Sequence, residues 1–99
     1  MNIEKRLEGN TLVVTLEGEL NTLTAPELAE ALEGELDGVD GLVVDMHRLD
    51  YISSAGLRVL LNAYRVLEDR NGVTVRGACR EIAEVFDSTG FSSFMNIDN

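Results

Sequence analysis

The spacing of apolar positions changes along the chain, and each change marks an element. Leu12, Val14 and Leu16 alternate with Val13, Thr15 and Glu17, the period of two expected of a half-buried strand. Ile3 and Leu7 outline a weaker strand before it, and Glu8-Gly9-Asn10 supplies residues suited to a hairpin turn. The spacing then widens. Leu28, Leu32 and Leu36 form one stripe of a helix whose solvated face carries Glu27, Glu30 and Glu33. Thr24 and Glu27 have the T-x-x-E spacing of a capping box, in which Thr24 accepts from the Glu27 amide and Glu27 reaches back. Leu23 and Leu28 hold the two positions of a hydrophobic staple, and Pro26 falls in the first turn, where its missing N–H is not needed. Gly38 and Gly41 bracket the exit.

Leu42-Val43-Val44-Asp45-Met46 is apolar on both faces apart from Asp45, which predicts a central strand covered on both sides. A second helix is predicted from about Ser54 to Arg70. Leu57, Leu60, Leu61, Tyr64 and Leu67 form its buried face, and Arg58, Asn62, Arg65 and Asp69 a polar stripe. Asn71-Gly72 suits a left-handed cap after it. Val73-Thr74-Val75 is a short strand. A third helix runs from about Arg80 to Thr89 with Ile82, Val85 and Phe86 inward, and Gly90-Phe91 closes it. The order β-β-α-β-α-β-α predicts an α/β fold with a mixed, mainly parallel sheet and right-handed crossovers. Sites in such sheets favour the carboxyl ends of strands. Asp50-Tyr51-Ile52-Ser53-Ser54 reads as a loop at such an end, opening the second helix.

Length and charge narrow the function. The 99 residues are expected to form one domain spanning 1–99. Eighteen Asp and Glu against eight Lys and Arg give a formal net charge of -10. This field works against nucleic acid and against anionic lipid surfaces, and favours a protein partner with a basic patch. The start of the chain has no apolar leader with a cleavage site, and no apolar run approaches a membrane span, so the expected location is cytoplasmic. One cysteine, Cys79, and one histidine, His47, exclude a disulfide framework and a zinc site of Cys and His.

Enzyme constellations are mostly absent, and no catalytic role or cofactor is expected. Ile52 stands where a G-x-S-x-G elbow needs glycine, and no phosphate-cradling glycine loop occurs. His47 reads as a solvent-facing loop residue. Arg76 and Arg80 near Cys79 are suited to lowering a thiol pKa, against the plainer reading of a structural cysteine. Asp45 and Asp50 form a weak pair for a divalent cation, with local backbone donors as the alternative use of Asp45. Ser53-Ser54-Ala55-Gly56 has two readings. One is an N-cap followed by a glycine that permits close packing. The other is a serine displayed at a helix N-terminus, where a phosphate of about -1.5 to -2 charge meets free amides and the positive end of the helix dipole.

At this point the sequence resembles the STAS domain family of bacterial anti-sigma factor antagonists. The residues that carry the resemblance are Gly18-Glu19-Leu20-Asn21, Thr24-Ala25-Pro26-Glu27-Leu28, Val43-Val44-Asp45-Met46, and above all Tyr51 through Leu61, YISSAGLRVLL; Ser88-Thr89-Gly90-Phe91 is similar to the family's L-T-G-L segment. The family's common form is F-I-D-S-S-G-L, with the first serine after Asp as phosphoacceptor; laid on Gly56-Leu57, the resemblance puts that serine at Ser54. Ser53 stands where the family often has Asp, which adds Ser53 as a competing acceptor, and Asn21 stands where it often has Asp, which thins the acidic surroundings and weakens any case for a metal there. The resemblance implies partner switching. The unmodified protein binds an anti-sigma factor that is also a serine kinase, kinase and ATP–magnesium modify Ser54, and a serine phosphatase resets the switch. The implied partner surface comprises Asn21, Thr22, Ser53, Ser54, Gly56, Arg58, Asn62 and Arg65. The alternatives are an unphosphorylated STAS scaffold subunit of a stress-sensing or lipid-transport assembly, and a small-ligand or nucleotide binder. The family's further C-terminal helix has no counterpart before Asn99, which leaves the last sheet edge either bare or completed by a partner.

Overall fold

The computed structural model describes residues 1–98; Asn99, the last residue of the expected domain, lies outside them. Strands β1 (Asn2–Glu8) and β2 (Thr11–Leu20) form the expected antiparallel hairpin. Helix α1 (Ala25–Leu32), strand β3 (Gly41–Ile52), helix α2 (Ser54–Leu67), strand β4 (Gly72–Arg76) and helix α3 (Arg80–Ser88) follow in the expected order. A single 3-10 turn at Phe91–Ser93 leads into strand β5 (Asn96–Asp98). The sheet order is β1-β2-β3-β4-β5, and every pair after the hairpin is parallel. β5 pairs with β4 through Thr74–Asn96, Val75–Ile97 and Arg76–Asp98, so the edge expected to be bare or partner-completed beside β4 is covered by the chain itself.

Strands β2 to β5 step across the sheet one place at a time. Right-handed crossovers between such strands put every helix on the same face. The core agrees: Leu28 and Leu32 of α1, Leu60 and Leu67 of α2, and Ile82 and Phe86 of α3 share one apolar cluster with Leu12, Val14, Leu42, Val44 and Val75 of the sheet. The paired registers Leu12–Leu42–Val73 and Val14–Val44–Val75 place those strand residues on one face. Each fully buried Leu or Val stabilises the fold by roughly 1.5–3 kcal/mol relative to exposure. The opposite face carries Thr15, Asp45 and Arg76, so β3 is covered by helices on one side, not on both as expected.

β3 is also far longer than the expected Leu42–Met46. Two register shifts against β2, between Thr15 and Glu17 and between Gly18 and Glu19, each admit an extra residue of β3. The bulges bring Met46, Leu49 and Ile52 inward at steps of three, which replaces the alternation of the first half. The segment read as a loop, Asp50–Ile52, is therefore strand, as is His47. β4 pairs with β3 only along Gly41–Asp45, so the second half of β3 projects past it beside β2.

The ends of the helices differ from expectation in three places. α1 stops at Leu32: its cap Glu33 is extended (ψ 123°) and Gly34 is left-handed (φ 76°). Leu36 is still buried, but from the connection after the helix. The capping box does not form, because no side chain caps α1 and Thr24 turns back into the preceding turn. The staple is absent as well, since Leu23 is 85% exposed while Leu28 is fully buried. α2 ends at Leu67, where Arg70 swings across to donate from Nη1 to the carbonyls of Leu36 (3.0 Å) and Val39 (2.9 Å).

Candidate functional site

The candidate site forms where β2 and β3 end side by side. Leu20 pairs with Ile52, and the next amide, Ser53 N–H, donates to the Leu20 carbonyl at 2.8 Å. This bond fixes the start of α2 against the β2–α1 turn. Ser53 is extended (φ -102°, ψ 173°) and is the N-cap: its Oγ accepts from the Gly56 amide at 3.4 Å, and its carbonyl accepts from Leu57 N–H at 3.0 Å. Ser54 is the first helical residue and is exposed. Its hydroxyl has no hydrogen-bond partner among the described residues. The two serines thus have different tasks: one holds the helix end, the other is presented to solvent at the positive end of a helix of 14 residues.

Gly56 makes this geometry possible. A Cβ there would lie 2.6 Å from Leu20 Cγ and 3.1 Å from Ile52 Cγ1, so only glycine lets α2 sit this close to the strand ends. Asn21 organises the neighbouring turn. Its Oδ1 accepts from the amides of Leu23 (2.9 Å) and Thr24 (3.0 Å), while Thr24 Oγ1 accepts from the Asn21 amide (2.8 Å) and donates to the Glu19 carbonyl (2.7 Å). An Asp carboxylate would accept the same two amides, so the turn does not depend on the charge that Asn21 lacks.

Asn21, Thr22, Ser53, Ser54 and Gly56 therefore share one end of the sheet. Arg58 is exposed about one turn along α2. Asn62 lies farther on and lines a groove between α1 and α2. Arg65 is exposed about 16 Å along the helix from Ser54, at 1.5 Å per residue, and stands apart from the serine end. Sequence reasoning missed two residues here. Leu23, 85% exposed, and Tyr51, 50% exposed, are large apolar groups left in solvent beside the strand ends. Leu23 was hidden by its staple spacing and Tyr51 by the assignment of its segment to a loop.

Asp45 lies on the open face of β3. It accepts from the His47 amide at 3.1 Å, and His47 Nδ1 stands 2.5 Å from Asp45 Oδ1. Burial pushes the Asp45 carboxyl up, but the hydrogen bonds from the His47 ring and amide, with the charges of His47 and Arg76, outweigh it and hold the pKa below the ordinary 3.8. Asp45 thus serves local donors, the alternative to a cation pair with Asp50. Cys79 is half-buried at the N-cap of α3 and makes no side-chain cap bond. No helix among the described residues is long and apolar enough to cross a membrane.

Residues 3–96 match the family described as "Mlab, STAS domain". The chain belongs to the STAS domain family. Among curated proteins, it is 38% identical over 90 residues to BtrV of Bordetella bronchiseptica, a match covering 89% of this chain and 78% of that protein, whose name provisionally makes it an anti-sigma factor antagonist. It is 27% identical over 100 residues to the anti-sigma-B factor antagonist of Staphylococcus aureus, covering 99% of this chain and 93% of the relative. Among solved structures, an anti-sigma factor antagonist from Mycobacterium paratuberculosis superposes with a TM-score of 0.88 at 23% identity, covering 98% of this chain and 84% of that one. SpoIIAA in its unphosphorylated form gives 0.79 at 18% identity, covering 99% and 88%. A structure of Bacillus SpoIIAA in the phosphorylated form gives 0.74 at 19%, covering 99% and 92%. These structural likenesses carry the STAS fold: a mixed sheet with one antiparallel pair and three helices.

Proposed function

We propose that this STAS domain is an anti-sigma factor antagonist switched by phosphorylation of Ser54. The observation that carries the reading is the division of labour at the start of α2, where Ser53 is occupied as the N-cap and the exposed Ser54 hydroxyl is unpartnered. The names of its relatives support the same reading. In the unmodified state the protein binds an anti-sigma factor that is also a serine kinase, through Asn21, Thr22, Ser53, Ser54, Gly56 and the exposed stripe Arg58, Asn62 and Arg65. Binding there releases the sigma factor. The kinase transfers the γ-phosphoryl group of ATP to Ser54 Oγ; the hydroxyl proton leaves and ADP departs. The phosphate is tolerated by the fold because it sits at a helix N-terminus, where amides point outward and the dipole is positive. Within the interface the same charge must be desolvated and repels other phosphates, and the complex separates. A serine phosphatase restores the hydroxyl by hydrolysis. The domain is substrate and ligand throughout, and works in the cytoplasm as a single unit without a cofactor of its own.

The test is phosphorylation by the anti-sigma kinases of the host, each purified and incubated with the protein and ATP–magnesium, read by mass spectrometry. Ser54→Ala is expected to abolish incorporation and Ser53→Ala to retain most of it. Equal incorporation into Ser54→Ala overturns the acceptor assignment. Stable kinase-independent binding with no incorporation into the wild-type protein supports the scaffold reading instead.

A further inference from the structure

A groove of about 390 Å³ runs between α1 and α2, away from the serine end. It exists because α1 is short. After eight residues the chain turns off at Glu33 and left-handed Gly34, while α2 continues, so the flank of α2 beyond that point has no helix packed on it. Leu32, Val59, Ala63 and Val66 supply the apolar lining, and Val66 is 41% exposed. Glu33 and Asp37 line the same groove, both exposed. The end of α1 carries no basic residue in its last turn, so its negative dipole end adds to theirs. Lys5 and Arg70 lie near the connection after α1, where Arg70 Nη1 also comes within 3.5 Å of the Asp37 carbonyl, but neither cation pairs with the Glu33 or Asp37 carboxylate. Lys5 Nζ holds the Ala31 carbonyl and Glu35, each at 3.0 Å, and Arg70 Nη1 holds the carbonyls of Leu36 and Val39. Neither Glu33 nor Asp37 has an ion-pair partner among the described residues.

We propose that this groove docks a basic amphipathic helix of a protein partner, with its aliphatic side chains on the α2 flank and its Lys or Arg heads over Glu33 and Asp37. Charge complementarity selects the occupant: an apolar strip with an unneutralised acidic rim, on a chain of net charge -10, favours a cationic amphiphile and disfavours an acidic one. Length selects a helix. Val59 to Val66 spans about 10 Å along α2 at 1.5 Å per residue, which matches two aliphatic side chains two turns apart on the incoming helix. The groove shares Asn62 with the surface proposed for the anti-sigma factor, but its lining does not include Ser54, so peptide binding is expected in either state of that serine.

The experiment is an NMR titration of the ¹⁵N-labelled protein with a 14-residue Leu/Lys amphipathic peptide. Two further peptides replace every Leu by Ser or every Lys by Glu. The expected result is saturable shifts centred on Glu33, Gly34, Val59, Asn62, Ala63 and Val66, with binding at least tenfold weaker for each altered peptide. The double variant Glu33→Lys/Asp37→Lys is expected to weaken the Leu/Lys peptide at least tenfold, and the control Glu81→Lys/Asp87→Lys, of equal charge change on α3, by less than twofold. Val66→Ser is a second probe whose exposed position leaves the fold intact. Shifts centred elsewhere, equal loss in the α3 control, or equal binding of the Glu peptide overturn the proposal. So does a groove that fills on raising protein concentration without peptide, which identifies a second copy, or one that binds decanoate more tightly than the peptide, which identifies a lipid chain.

Discussion

Gly56 and Leu20 pack so closely that no side chain fits between them: a Cβ on Gly56 would stand 2.6 Å from Leu20 Cγ and 2.8 Å from its Cδ2. Leu20 is fully buried at the end of β2, and the Ser53 amide bond to its carbonyl ties the start of α2 to the same residue. The contact therefore sets how Ser54 is presented as well as how the core is filled.

Gly56→Ala is accordingly expected to destabilise the protein by about 1–3 kcal/mol, the usual range for overpacking a filled core. Leu20 Cγ is a branch point rather than a flexible tip, so relief requires a backbone shift. Urea denaturation with an unchanged m-value checks the number. A change below 0.5 kcal/mol would mean that α2 can slide outward freely, and that its position is not set by this contact.

At the adjacent turn the structure assigns to Asn21 the role that spacing assigned to Thr24 and Glu27. Asn21 Oδ1 takes two amides, and the Glu27 side chain takes none. Asn21→Ala is expected to cost about 0.5–2 kcal/mol, in the range of lost helix caps. Asn21→Asp keeps an acceptor for both amides and is expected to be near neutral. Glu27→Ala on the exposed face is expected to stay within about 0.5 kcal/mol of wild type. Thermal denaturation of the three variants side by side distinguishes the two arrangements.

These cases show which information a linear pattern holds. The hairpin, the three helices and the parallel order were legible because they rest on periods of two and near four, and on glycines such as Gly72 and Gly90 that adopt φ of 73° and 83°. The second half of β3 was not, because two bulges convert its period to three and no local residue announces them. β5 was hidden by its brevity: three residues have no period, and its pairing with β4 is a tertiary event. At the site, Ser53, Ser54 and Gly56 were legible as a cap and a close approach. Leu23 was not, because staple spacing is the same whether the chain folds the leucine inward or, as the Asn21 turn does here, leaves it in solvent.

Asp45 gives the fold an acid-range dependence. Its folded pKa is depressed, so near pH 4 and below the unfolded chain binds this proton more readily than the folded protein does. Stability from this group is then fully present above the ordinary carboxylate value of 3.8 and is lost as pH falls through the folded value. Asp45→Asn is expected to flatten that part of the stability profile while leaving the profile above pH 5 parallel to wild type. Denaturation midpoints between pH 2.5 and 5 provide the check. An identical acid slope in the variant would show that other carboxylates carry it.

Charge at Ser54 is expected to act on binding and not on folding. Ser54→Asp adds a negative group in the first turn of α2, which is worth about 0.3–1 kcal/mol of stabilisation by interaction with the helix dipole. Its melting temperature is thus expected to equal or slightly exceed wild type, while its affinity for the proposed anti-sigma kinase falls. If Ser54→Asp unfolds the protein, loss of binding no longer reports on a charge switch.

The exposed leucine beside the serine offers the sharpest separation of surface from core. Leu23 is 85% exposed, so Leu23→Ser removes almost no packing and is expected to change stability by less than about 0.5 kcal/mol. Leu7 is a matched control: it is 65% exposed, and its pairing with Leu12 places it at the opposite end of β2 from the serine. An apolar side chain held in water at an interface gains its full transfer energy only when the partner covers it, and such central anchors cost more than 1 kcal/mol when truncated. Leu23→Ser is therefore expected to weaken the proposed complex with the anti-sigma kinase by about tenfold, and Leu7→Ser by less than twofold. Calorimetric titration of both variants against the same kinase decides between a partner seated on the Ser54 end and one seated elsewhere. A larger loss from Leu7→Ser would move the interface to the hairpin end of the sheet and remove Ser54 from it.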